Sequence, residues 1–138
     1  MCGIMKQINK ERERKKMEPL KTTESDEQIS LFRWAQIASS VKPELKLMFH
    51  VPNEGKRTRY SGGKLIAEGL KPGVPDVCLP VPNKKYHGLF IEMKVGKNKP
   101  TENQIFWLDN LAKQGYCTAV AYGWVEAKTI IENYLKDR

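Results

Sequence analysis

Apolar positions Leu31, Trp34, Ala35 and Ala38 recur at helical spacing behind Thr23-x-x-Asp26, with Glu24, Asp26 and Glu27 in what would be the first turn. The pattern predicts a helix starting at Thr22 or Thr23 and ended at the latest by Pro43. Residues 45–51 read as a short strand and Pro52-Asn53-Glu54-Gly55 as a turn. A basic loop, 56–64, leads into a short helix over 65–69, where Gly69 supplies the stop. Two apolar runs, 77–81 and 89–95, flank Pro82-Asn83-Lys84-Lys85 and predict an antiparallel hairpin. Thr101 then opens a helix with Ile105, Leu108, Leu111 and Ala112 on one stripe, ending at Gly115. A buried strand over 117–122 follows. The last helix, 125–135, turns Ala127, Ile130, Ile131 and Tyr134 inward.

The strand at 89–95, the helix at 101–114 and the strand at 117–122 form a βαβ unit, so those two strands should be parallel. With the hairpin this gives an α/β fold, a mixed β-sheet flanked by helices. A chain of 138 residues suffices for one such domain, and 40% apolar with 29% charged residues excludes wholesale disorder. Residues 1–21 are set apart by composition: seven bases and three acids place half of the chain's net charge of +8 there. With few apolar residues, they read as a basic arm, mobile or partly helical, ahead of a domain spanning 22–138.

The basic excess favours a polyanionic partner. Three widely spaced cysteines, Cys2, Cys78 and Cys117, offer neither a disulfide framework nor a zinc pattern, and Cys78 and Cys117 read as small core residues. No membrane-length apolar run and no signal-peptide core occur, so an intracellular, cytoplasmic setting is expected. Ser61-Gly62-Gly63-Lys64 fails as a phosphate loop because Thr58 stands where glycine is needed and Leu65 follows the lysine, so no nucleotide cofactor is expected. His50 and His87 lack metal-ligand spacing, and Trp34, Trp107 and Trp124 fall where packing explains them.

The chemistry concentrates around Pro75-Asp76 and Glu92-Met93-Lys94. Strand side chains repeat every two residues, so Glu92 and Lys94 share a face while Met93 faces the other way. In the hairpin, Asp76 opens one strand opposite the end of the other. Two carboxylates and an ammonium thereby converge, and buried charges of this kind need compensation that a divalent cation and a phosphate would provide. Carboxylate oxygens suit Mg²⁺ or Mn²⁺. The neighbouring Lys56, Arg57, Arg59, Tyr60 and Lys64 could grip DNA phosphates or form an ordinary solvated loop, contact being favoured beside the proposed site.

Pro75-Asp76 followed by Glu92-x-Lys94 resembles the PD-(D/E)XK nuclease signature. The wider order resembles its VRR-NUC branch over about residues 24 to 135: Glu27-Gln28, then Val51-Pro52-Asn53-Glu54-Gly55-Lys56-Arg57, Gly69-x-x-x-Gly73-x-Pro75-Asp76, 86–94 and Thr101-x-x-Gln104. The resemblance implies a restriction-endonuclease-like fold and a metal-dependent endodeoxyribonuclease. It further implies that Asp76, Glu92 and the Met93 carbonyl bind metal, that Lys94 positions or activates water, and that Glu27 and Gln104 occupy further active-site positions. Glu24 competes with Glu27 for the first-helix acid, the Gln28 that follows favouring Glu27. Gln104 also completes a capping box with Thr101. Small stand-alone members resemble junction-resolving enzymes, which implies branched DNA such as a four-way (Holliday) junction and a homodimer. The competing readings are a noncatalytic basic DNA-binding module and a nuclease for flaps or linear duplex.

Overall fold

A computed structural model describes residues 3–14, 22–52 and 59–138. Among them lie five α-helices and four strands: α1 (Gly3–Arg14), α2 (Glu24–Ala38), β1 (Phe49–His50), α3 (Arg59–Ala67), β2 (Val77–Leu79), β3 (Leu89–Lys94), α4 (Glu102–Lys113), β4 (Cys117–Tyr122) and α5 (Trp124–Lys136). The strands form one sheet in the order β1-β2-β3-β4. Hairpin and crossover are as expected: β2 pairs antiparallel with β3, Val77 opposite Ile91, and β3 pairs parallel with β4, Leu89 opposite Cys117. The fold is therefore α/β, a mixed sheet flanked by helices.

Local chemistry accounts for the helix starts. Thr23 accepts from Asp26 N at 3.1 Å while Asp26 accepts from Thr23 N at 3.2 Å, a reciprocal cap. Thr101 and Gln104 repeat the arrangement at α4. β3 is the spine of the core, with five of its six residues buried, Glu92 and Lys94 among them. Tyr134 of α5 is fully buried and spends its hydroxyl on the Val81 carbonyl at 2.6 Å. Cys78 and Cys117 are buried core residues, and burial pushes the Cys78 thiol up to about 11, away from thiolate chemistry. Among the described residues no helix is long and apolar enough to cross a membrane.

Some elements differ from the expected ones. The stretch expected as a basic loop is helical from Arg59, with α3 spanning Arg59–Ala67 in place of the short helix expected over 65–69. The strand expected over 45–51 shrinks to Phe49–His50, because Pro43 opens a 3-10 turn, Pro43–Leu47. Leu45 and Met48 are buried three residues apart, a 3-10 period, while Leu47 and Phe49 stay exposed. The basic arm, expected to be mobile or partly helical, is helical over its described residues. Its Gly3–Arg14 segment is a helix docked on the domain, with Met5 and Ile8, one turn apart, buried in the core. Arg12, one turn further, pairs with Glu126 of α5 and lies 4.6 Å over the Tyr122 ring. Met5, Ile8, the half-buried Ile4 and one stacked arginine fix this helix on the domain.

Candidate active site

The site lies where β3 ends and β2 begins. Antiparallel pairing brings Asp76, just before β2, level with Glu92. The Asp76 carboxylate accepts from Met93 N at 2.8 Å, and its main-chain carbonyl accepts from Val51 N at 2.8 Å. The His50 Nδ1 also lies 2.8 Å from that carbonyl, so β1 and β3 clamp the residue from both sides. Trp107 of α4 adds a third restraint upstream, its indole donating to Pro72 O at 3.1 Å.

Glu92 is 1% exposed. Lys94 Nζ stands 3.5 Å from its Oε1, whereas Oε2 is reached by no donor among the described residues. Burial first, and then the Asp76 charge, push Glu92 up to about 8, against the pull of Lys94. Lys94 is itself 6% exposed, and its Nζ also stands 3.8 Å from Glu24 Oε1 on α2. An acid so buried, with a second carboxylate beside it and an orphaned oxygen, is costly without a cation. Among the described residues no group of three His, Cys, Asp or Glu side chains is placed to hold a metal. An ion here would therefore draw on two carboxylates, a main-chain carbonyl and water, the sparse donor set that suits Mg²⁺.

The two candidates for the first-helix acid have different partners. Glu27 accepts from Trp124 N and Thr22 Oγ1, both at 2.7 Å, so its carboxylate caps the start of α5. Glu24, one turn earlier, is the acid that faces Lys94. Gln104 spends its side-chain oxygen on Thr101 N at 2.9 Å, the structural alternative already visible in the sequence. Of the expected DNA contacts, Lys56 and Arg57 fall outside the described residues. Arg59 and Tyr60 open α3, their side chains outside the description, and Lys64 is exposed and 3.9 Å from Glu68. His50, passed over in the sequence for want of metal spacing, joins the site through a main-chain contact that no motif announces.

The two helix acids make a discriminating pair. Glu27→Gln is expected to cost about 1–2 kcal/mol of stability, read as a lowered urea midpoint, by weakening a charged cap. Glu24→Gln is expected to leave the midpoint within about 0.5 kcal/mol, its carboxylate being 40% exposed.

The geometry describes a mixed α/β sheet with two carboxylates and a lysine gathered at the end of β3. The family model of the VRR-NUC domain matches residues 22–124, and the chain belongs to that family. A solved structure described as a VRR_NUC domain protein superposes with a TM-score of 0.72 at 29% identity, covering 88% of this chain and 93% of the other. A search of curated proteins finds no match. The family assignment makes this a nuclease-type domain.

Proposed function

We propose that this chain is a Mg²⁺- or Mn²⁺-dependent DNA endonuclease, acting as a homodimer on branched DNA such as a four-way junction. The observation that carries the reading is Glu92, a buried carboxylate with an oxygen lacking a donor, level with Asp76 and beside a buried lysine. Asp76, Glu92 and the Met93 carbonyl would hold the ion. When bound, the ion would supply Lewis acidity toward a phosphate oxygen and lower the pKa of water.

The rest falls to the chain. Lys94 carries its ammonium on the same strand face as Glu92, where it stabilises negative charge growing on the phosphate as the new P–O bond forms and the old one breaks. Glu24, at 3.8 Å, is a positioning residue that keeps that ammonium in place. His50 and Val51 hold the Asp76 main chain, so the carboxylate meets substrate without reorganising. The preference for junctions rests on symmetry: two related cuts need two sites, and one chain supplies one.

Incubation with junction, flap, duplex and single-stranded DNA, with Mg²⁺ or with EDTA, tests each part. Paired nicks in the junction, absent in EDTA, are expected. Cleavage that survives EDTA overturns the metal requirement, and equal rates on linear duplex overturn the branched substrate. Binding without cleavage of any DNA would leave a noncatalytic module, against which the intact Asp76, Glu92 and Lys94 argue.

A further inference from the structure

A cavity of about 750 Å³ opens between α1, α5 and the loop that leaves β3, with Arg12, Lys97, Lys99 and Tyr122 on its walls. The loop is tied down at its middle. Tyr122 donates its hydroxyl to Asn98 O at 2.6 Å, and Asn98 N closes a turn on Val95 O at 3.2 Å. Arg12 in turn stacks on the Tyr122 ring, while Glu126 both pairs with Arg12 and accepts from Tyr122 N at 2.8 Å. The helix outside the family match thus braces the loop that follows the candidate lysine of the active site.

The charges on these walls do not cancel. Arg12 neutralises Glu126, leaving Glu11 as the remaining acid against Lys97 and Lys99, which make no ion pair with any described residue. Lys99 follows Lys94 by five residues, so at most ~18 Å of chain separates them, the span of a few nucleotides. We propose that this cleft is a second DNA track, in which Lys97 and Lys99 hold backbone phosphates of the strand running away from the candidate active site. The proposal rests on the nucleic-acid reading above and goes beyond it by assigning a surface that the basic 56–64 segment does not include.

Fluorescence anisotropy of labelled duplex in EDTA, over a series of salt concentrations, tests the track without any cleavage. Lys97→Ala/Lys99→Ala is expected to raise Kd ~10-fold and to flatten the slope of log Kd against log salt by roughly 1.8, two phosphate contacts. Lys113→Ala/Lys136→Ala removes the same charge from exposed positions near the ends of α4 and α5, at the far pole of the sheet. It is expected to leave the slope as it is. An unchanged slope in the loop variant, or an equal loss in the far-pole variant, overturns the proposal. If the loop variant behaves as expected but the wild-type protein cuts no DNA with Mg²⁺, the track stands and the nuclease reading falls.

Discussion

Glu92→Gln is expected to lower Mg²⁺-dependent cleavage about 1,000-fold and, in EDTA, to make the protein more stable than the wild type. The two effects have one origin. The Glu92 carboxylate is buried beside Asp76 with an oxygen that no described donor reaches. The amide of glutamine keeps the shape and never ionises, so folding no longer requires a proton to be held on a buried acid, relieving about 1–3 kcal/mol near neutral pH, several degrees of melting temperature in a chain of this size. The pH dependence has a definite sign. The folded value, about 8, lies above the ordinary 4.5, so the folded chain holds a proton that the unfolded chain releases. This contribution to wild-type stability is fully present below about pH 4.5 and is lost as the pH rises toward 8. The advantage of the glutamine variant in EDTA should therefore be smallest in acid and grow over that window. Added Mg²⁺ should raise the melting temperature of the wild type and leave the variant unmoved, since a ligand stabilises only a form that binds it. Thermal scans of both proteins at pH 4.5, 6 and 8, with EDTA and with Mg²⁺, check all of this. A variant less stable than the wild type at every pH would show the buried charge to be compensated by partners within the chain.

The site's framework was legible because it lies on a strand, where a two-residue period assigns faces without knowledge of the neighbours. Glu92, Lys94 and the level of Asp76 all follow from that period and one hairpin. The partners of the two first-helix acids were not, because Glu24 and Glu27 are one turn apart on neighbouring faces. Only the position of α5, whose first N–H groups need an acceptor, decides which carboxylate is diverted. The docking of α1 was illegible for a different reason. Its buried side chains, Met5 and Ile8, are two among a run of charges, and a composition argument averages them away. The strand expected at 45–51 failed because an alternating reading and a 3-10 period share Leu45, and the proline ahead of it favours the turn.

Gly73 carries the other large expectation. In the Gly69-x-x-x-Gly73-x-Pro75-Asp76 stretch both glycines take positive φ, 108° and 86°, yet their surroundings differ. A Cβ on Gly69 would meet open space, whereas one on Gly73 would stand 2.6 Å from the main-chain carbonyl carbon of Asn103 in the first turn of α4. Gly69→Ala is accordingly expected to cost only the backbone penalty, about 1–2 kcal/mol. Gly73→Ala adds a clash with helix backbone that no rotamer relieves, for about 3–4 kcal/mol in all and a fall in melting temperature on the order of 10 °C. The effect should also reach the chemistry. Relief requires the turn bearing Pro72 to back away from α4, straining the bond from Trp107 and shifting Asp76, three residues on, against Met93 N. Cleavage per folded molecule should therefore fall at least about tenfold in Gly73→Ala and stay near wild type in Gly69→Ala. Urea midpoints with activities measured well below the transition separate the two contributions. Equal behaviour of the two variants would mean that α4 does not set the placement of Asp76.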